Sequence, residues 1–485
     1  MTAPLLHPGA PADTAAAASV PAPLRAGAAA RPLCVDCDGT LIRTDLLHES
    51  VFALLKSHWM LVFLLPWWLL RGRAHLKHEI ARRVHLDAAL LPYHEPLVAW
   101  LREERSRGRR LVLATAADRA LADGVAAHLG LFDEVLASGR GINLAGTAKA
   151  RALVERFGER GFDYAGNGAS DIPVWQRAGG AVLVGRAGGP RLVDHLRALR
   201  LHQWLKNLLV LLPALAAHRI GEPATLAASL LALLAFGLTA SGVYVLNDLL
   251  DLPSDRRHAR KRLRPFASGR VPVAHGAVMA VALLAAAAAV AALLPLRFQV
   301  VLVLYLTLTT AYSVSLKNLP VVDVIVLASL YALRVGAGSA ATGIQPSFWL
   351  LAFSLFLFLS LALVKRHAEL GALLREDGRA AAGRGYEVAD LALLMAMGVS
   401  SAMASVLVLA LYVHHPETAR LYAEPMWLWL IVPLLLYWVT RLWMISHRGR
   451  MHDDPVVFAA RDSTSLAVVA LALLVMVAAQ RGGWG

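Results

Sequence analysis

The sequence predicts two fold classes in one chain of 485 residues: an α/β domain with a helical cap, then an all-α polytopic membrane domain of about nine spans. Three observations predict this. Up to about residue 200, short apolar runs alternate between strand-like and helix-like patterns. From Leu208 onward the apolar blocks are long enough to cross a bilayer, which takes about 20 residues. Hydrophobic residues make up 57% of the whole, too many for a soluble protein of this size.

Residues 1–31 are rich in Ala and Pro and poor in charge. They lack the basic start and continuous apolar core of a secretory signal, so a disordered tail is expected. Over 32–195, candidate strands at 32–37, 110–115, 133–137, 162–166 and 181–184 alternate with helical patterns such as 117–130 and 147–158. That rhythm argues for a doubly wound α/β domain. Residues 46–107 interrupt it and read as the helical cap. Within them, the twelve apolar residues Trp59–Leu70 include a proline and are too few to span. A buried cap helix is the ordinary expectation; contact with a membrane surface through the tryptophans is the sharper one. The two cysteines, Cys34 and Cys37, sit in a strand-like run where residues three apart face opposite ways. With no second Cys or His pair to complete a zinc site, they are expected in the core.

The second domain, 201–485, holds nine candidate spans: 205–218, 225–246, 274–294, 298–315, 321–341, 347–365, 393–413, 426–445 and 463–481. Loop 247–273 carries seven Lys or Arg, segment 365–390 five and loop 446–462 three. These basic segments belong in the cytoplasm together with the N-terminal domain, and nine spans then put the C-terminus outside an inner, cytoplasmic membrane. The net charge of +14 is explained by such loops, and no nucleic-acid partner is expected. His414 and His415 lie on the outer side and are assigned no chemistry.

Asp36-Cys37-Asp38-Gly39-Thr40 leaves the first candidate strand. One carboxylate there can attack phosphorus, and a second two residues on can protonate the leaving oxygen and later activate water. This run resembles the first motif of the haloacid dehalogenase-like phosphohydrolases, and the other motifs follow in that family's order. Thr115, at a strand end, is implied to hold a phosphate oxygen, and Lys149 to balance charge. Gly166-Asn167-Gly168-Ala169-Ser170-Asp171 matches the last acidic motif. The resemblance covers about 32–190 and implies a Mg²⁺ site from Asp36, Asp38, Asn167 and Asp171. Asn167 stands where many members have aspartate, which lowers the charge on the metal.

Asp248, Asp251 and Asp255 recur at three- and four-residue spacing at the end of an apolar block, on one helical face. Acids so placed repel unless a divalent cation neutralises them, and oxygen ligands suit Mg²⁺ with substrate phosphates. A basic run, Arg256 to Arg264, follows. The Asn247–Asp255 segment resembles the first aspartate motif of the UbiA superfamily of intramembrane prenyltransferases. Members normally carry a second acidic cluster; here the corresponding region offers Asp323, with Leu327 four residues on. Three further runs, His202–Asn207, Tyr312–Lys317 and Leu333–Gly338, resemble one branch, the polyprenyl-phosphate (decaprenyl-phosphate-like) phosphoribosyltransferases.

That resemblance implies phosphoribosyl diphosphate and a polyprenyl phosphate lipid as substrates. Mg²⁺ on Asp248 and Asp251 would clamp the diphosphate, with Asn247 and Asp255 completing or orienting the shell. Lys261, Arg264, Lys317 and Tyr312 would take phosphate oxygens and Lys206 the lipid phosphate. Arg334 lies within a span, where a functional role is the default. The fused phosphatase would then remove the 5-phosphate, giving polyprenyl-phosphoryl-ribose for cell-envelope arabinan precursors. Two alternatives stay open: an aromatic prenyltransferase with an unrelated phosphatase, and a membrane scaffold with an inactive phosphatase-like module. A homo-oligomer is also left open.

Overall fold

The computed structural model describes residues 31–139, 141–185, 190–375, 385–415, 421–451 and 454–481. Apart from Arg31, the tail expected over 1–31 lies outside them. By its contacts the chain divides into two compact units. One is Met1–Ala198 with Val245–Val278; the other is Leu199–Tyr244 with Met279–Gly485.

In the first unit, β1 (Leu33–Val35), β2 (Leu111–Asp118), β3 (Glu134–Ser138), β4 (Asp163–Gly166) and β5 (Gly180–Leu183) form one parallel sheet in the order β3-β2-β1-β4-β5. The strands read as continuous apolar runs because both faces of a parallel sheet are covered. Cys34 packs on one face with Val112, Leu153 and Tyr164, and Cys37 on the other with Leu41, Leu46 and Val98. Both are buried free thiols. The central strand β1 is flanked by β2 and β4, whose connections leave in opposite directions. The crevice beyond their carboxyl ends is the topological switch point, where such sheets place ligands.

The cap between β1 and β2 contains α1 (Leu46–Ser57), a 3-10 turn at Trp59–Leu64 running into α2 (Leu65–Leu70), then α3 (Arg73–Ala81) and α4 (Glu95–Ser106). Asp45 starts α1 by accepting from the His48 amide at 3.1 Å. Such a cap contributes about 1 kcal/mol. After β2, α5 (Arg119–Leu129) starts on the Asp118 carboxylate and stops at Gly130, whose φ of +63° ends it in the left-handed conformation. α6 (Thr147–Phe157) buries Lys149, Ala150 and Leu153.

Among the described residues eight helices are long and apolar enough to cross a membrane: Pro223–Leu250, Val273–Ala291, Leu296–Val314, Val322–Thr342, Phe348–Leu374, Val388–Val413, Pro425–His447 and Ser463–Gln480. The protein is therefore a multi-pass membrane protein. The expected span at 205–218 is not among them. It is a 3-10 stretch, Leu201–Leu211, followed by a short α-helix, Leu212–Ala216, with Pro213 near its start. Tertiary contacts hold this stretch. The Trp204 indole donates to Ser241 at 3.0 Å and its ring lies where a Cβ on Gly237 would meet it at 2.7 Å. A Cβ on Gly338 would come within 1.9 Å of the Val210 carbonyl oxygen, so glycine permits that close approach. The core of the second unit packs Val324, Ala328, Tyr331 and Val335 with Phe358, Leu361, Leu442 and Trp443.

Candidate functional site

The crevice of the first unit gathers the phosphohydrolase residues. Asp36, one residue beyond β1, accepts from Lys149 Nζ at 2.7 Å and from the Thr40 hydroxyl at 3.3 Å. Lys149 also donates to the Tyr164 hydroxyl at 2.8 Å and lies 3.7 Å from Asp171. Tyr164 in turn donates to Asp171 at 2.9 Å. The other Asp171 oxygen accepts from the amides of Asn167 and Gly168 at 3.0 and 3.2 Å. A Cβ on Gly166 would sit 2.7 Å from that carboxylate, so the position requires glycine. Tyr164 is the member that sequence reasoning missed; its place two residues before the Gly166–Asp171 motif was the available signal.

Asp38 accepts from the Leu46 amide at 2.9 Å, which ties it to the first residue of α1. The Asn167 amide donates to the Gly39 carbonyl at 2.6 Å. Thr115 is fully buried, and its hydroxyl accepts from the Ala117 amide at 3.0 Å. Burial raises the Asp36 carboxyl above its ordinary range, opposed by Lys149 and reinforced by Asp171. Burial and repulsion from Asp45 and Asp36 push Asp38 up to about 8. A neutral Asp38 is a proton donor, the form a leaving-group acid needs. The carboxylate and amide oxygens here are of the hard donor type that Mg²⁺ takes. Among the described residues no three His, Cys, Asp or Glu side chains are gathered in metal-holding geometry.

The acidic loop, also in the first unit, is built at the end of helix α7 (Pro223–Leu250). Asp248 lies in its last turn. Asp251 starts α8 (Leu252–Arg257), which contains Asp255. Helical bonding runs on through the junction, from the Asp251 amide to Asn247 and from the Asp255 amide to Asp251. Arg264 Nη1 donates to Asp248 at 3.2 Å and to Asp255 at 2.6 Å. These two carboxylates therefore share one guanidinium group. Asp251 instead accepts from Lys56 of α1 at 2.7 Å. Arg256, the first residue of the basic run, makes a two-pronged pair with Glu49 of α1 at 2.6 and 2.8 Å, both side chains buried. Lys261 is half-buried in the same loop, and Asn247 is half-buried on α7.

The remaining predicted residues lie in the second unit, in two groups. Lys206 donates to Asp454 at 2.7 Å, and Lys365 to the same oxygen at 3.3 Å. Arg334, buried in the helix Val322–Thr342, donates to Asn207 at 2.9 Å and to the Tyr305 hydroxyl at 3.0 Å. Its guanidinium also stacks on the Tyr305 and Tyr331 rings. The Asn207 amide nitrogen is buried with no hydrogen-bond partner among the described residues. Burial raises the Asp454 carboxyl, but Lys365 and Lys206 more than offset that and hold it well below the carboxylate range. Lys365 and Asp454 were missed: one reads as a span-end charge, the other as a helix cap before Pro455.

In the second group Tyr312 accepts from Arg366 at 2.7 Å, and Arg366 pairs with the fully buried Asp323. Tyr386 donates to Asp323 at 2.5 Å. Asp323, the one acid in the second motif region, is thus occupied by a buried arginine and a tyrosine. Lys317 sits half-buried in a 3-10 turn at Leu316–Asn318.

The two units thus define an α/β phosphohydrolase-type site and a polytopic membrane protein with an acidic loop at a span end. Residues 207–466 match the model of the UbiA prenyltransferase family, and residues 33–176 that of the haloacid dehalogenase-like hydrolases. The chain belongs to the UbiA prenyltransferase family and carries an N-terminal haloacid dehalogenase-like domain. It is 39% identical to an uncharacterized protein, y4nM, of Sinorhizobium fredii, over 91% of this chain and 89% of that one. It is 36% identical to nodulation protein NoeC of Azorhizobium caulinodans, over 57% and 90%. It is 34% identical to the decaprenyl-phosphate phosphoribosyltransferase of Mycobacterium tuberculosis, over 59% and 93%. A solved UbiA homolog from Archaeoglobus fulgidus, bound to DMAPP and Mg²⁺, aligns at a TM-score of 0.45 and 20% identity, over 59% of this chain and 99% of that one.

Proposed function

We propose that the membrane domain transfers 5-phosphoribose from phosphoribosyl diphosphate to a polyprenyl phosphate, and that the fused phosphatase removes the 5-phosphate from that lipid product. The observation that carries the transferase half is a cationic cluster: Lys206 and the half-buried Lys365 share the Asp454 carboxylate, and the buried Arg334 donates to Asn207, whose amide nitrogen has no hydrogen-bond partner among the described residues. In the membrane such a cluster is costly unless it serves an anion. A lipid phosphate supplies that anion. The likeness to the mycobacterial phosphoribosyltransferase supports the same reading. Asp323, locked by Arg366 and Tyr386, speaks against a donor site built on two acidic clusters, and so against the aromatic prenyltransferase.

In the transfer, the bond from ribose C1 to the diphosphate oxygen breaks, diphosphate leaves, and a lipid phosphate oxygen bonds to C1. Asp248, Asp251 and Asp255 would hold Mg²⁺, with Asn247 orienting them; when bound, the ion neutralises the departing diphosphate. Lys261, Arg264, Lys317 and Tyr312 bind phosphate oxygens, and Lys206 and Arg334 hold the lipid phosphate. Catalysis by these residues is positioning and electrostatics. In the phosphatase, Asp36 attacks phosphorus as the ester P–O bond breaks, and Asp38 gives its proton to the leaving oxygen. Asp38 then takes a proton from water, whose oxygen releases phosphate from Asp36. Lys149 balances charge and Thr115 orients phosphate. Asp36, Asp38, Asn167 and Asp171 would hold Mg²⁺. The Asp36–Lys149 pair speaks against a mere scaffold.

Within the first unit, Asp194 lies 3.6 Å from Arg270, and Glu49 pairs with Arg256. These contacts support placing the N-terminal domain and the loop 245–278 on one side, which the loop's basic charge makes cytoplasmic. Helix α7 then begins on the far side, so the chain before Pro223 crosses too. Leu201–Leu211 as 3-10 helix and Leu212–Ala216 as α-helix together reach about 30 Å, the thickness of the hydrocarbon core. On this reading the chain crosses nine times and its C-terminus is outside. The test of the function is transfer of ribose label from phosphoribosyl diphosphate into lipid by membranes carrying the protein.

A further inference from the structure

The apolar helix Trp59–Leu70 in the cap is hydrophobic on both faces. Its inner face is accounted for: Leu61, Leu65 and Trp68 pack on Leu54 and Ile80. Its outer face is not. Trp59, Met60, Phe63, Trp67 and Leu70 are each more than half exposed, Leu70 by 82%. Twelve residues reach about 20 Å, too short to span but the right form to lie in a membrane interface. Two observations say what meets this face. Lys56, three residues before Trp59, pairs with Asp251, the first residue beyond the end of the membrane-crossing helix α7. The apolar helix therefore starts where that crossing ends. It is followed by Arg71 and Arg73, and the Arg71 guanidinium lies 5.0 Å over the Trp67 ring. Tryptophan and arginine side by side suit the headgroup level, apolar body inward and charge in water.

The same helix leads into the phosphatase site. A cavity of about 270 Å³ is lined by Asp38, Lys77, Leu47, Leu69 and Arg73 among others. Leu69 belongs to the apolar helix, so one element borders both the catalytic acid's cavity and the unpartnered apolar face. We propose that Trp59–Leu70 beds into the bilayer surface and thereby presents the phosphatase crevice to the headgroup of its lipid substrate. This rests on the phosphatase reading above and adds how that site reaches a lipid-borne phosphate.

The test uses the full chain in vesicles of phosphatidylcholine and phosphatidylglycerol. Cys34 and Cys37 are fully buried, so an environment-sensitive fluorophore can be placed at Phe63→Cys, with Leu183→Cys, also exposed, as the reference. The label at 63 is expected to be quenched by nitroxide-bearing lipid and shielded from iodide, and the label at 183 to behave oppositely. Iodide quenching at both positions overturns the proposal, and shielding at 63 without nitroxide quenching assigns the face to a protein partner and overturns it equally. The second arm compares Phe63→Glu/Leu70→Glu with wild type. On lipid-borne phosphoribose, KM is expected to rise at least tenfold. On p-nitrophenyl phosphate, kcat/KM is expected to stay within twofold. Equal losses on both substrates overturn the presentation of the crevice to lipid. Bilayer insertion with no wild-type hydrolysis of either substrate removes the phosphatase reading and leaves the insertion standing.

Discussion

Asp36 is held by the Lys149 ammonium and the Thr40 hydroxyl. Asp36→Asn keeps the shape and removes the attacking charge. Phosphatase turnover is expected to fall by roughly a thousandfold or more, while phosphoribosyl transfer continues. Mass spectrometry of the lipid then finds the 5-phosphate retained in the variant and absent in wild type; the same lipid from both would contradict the assignment. Asn167→Asp is expected to lower the Mg²⁺ concentration for half-maximal phosphatase activity, because a carboxylate adds charge to the donor set. These residues were legible because their chemistry lies in short motifs: Asp36 and Asp38 are two apart, and Asn167 and Asp171 four. Lys365 and Asp454 were not. Their meeting with Lys206 depends on folding, and singly each looks like an ordinary span-end charge or helix cap.

Helix α1 joins two regions that no sequence spacing relates. Its first residue holds Asp38, Glu49 in its first turn holds Arg256, and its end holds Asp251. Lys56 and Asp251 are 195 residues apart, so their pairing is not legible in the sequence. The Glu49–Arg256 pair is buried, so removing one partner strands the other. Glu49→Leu is expected to cost about 3–5 kcal/mol, and Glu49→Leu/Arg256→Leu to recover most of it. Thermal unfolding midpoints in detergent check this; equal losses in single and double variants would show that the pair carries nothing. In the Leu201–Leu211 stretch the apolar composition gives no sign of the 3-10 backbone or of its close approach to Gly237 and Gly338. Gly338→Ala is expected to prevent that approach and to lower the yield of folded protein, read by gel filtration in detergent.

At the scale of the whole molecule, the two fold classes were plain from where the apolar blocks lengthen, because strand–helix alternation and bilayer-length runs are different periodicities. The allegiance of residues 245–278 was not plain, since a loop between two spans packs here with the N-terminal domain. That packing underlies the topology. Reporter fusions at residue 1 and after Gly485 are expected to report opposite sides of the membrane; the same side for both would show that Leu201–Ala216 does not cross. The central claim is transfer of phosphoribose to lipid. Membranes containing the protein, supplied with ribose-labelled phosphoribosyl diphosphate, Mg²⁺ and polyprenyl phosphate, are extracted and the lipid phase is counted. Label is expected in the lipid phase with wild type and with Asp36→Asn, and none with Asp248→Ala. Label that stays in the aqueous phase with wild type would contradict the claim.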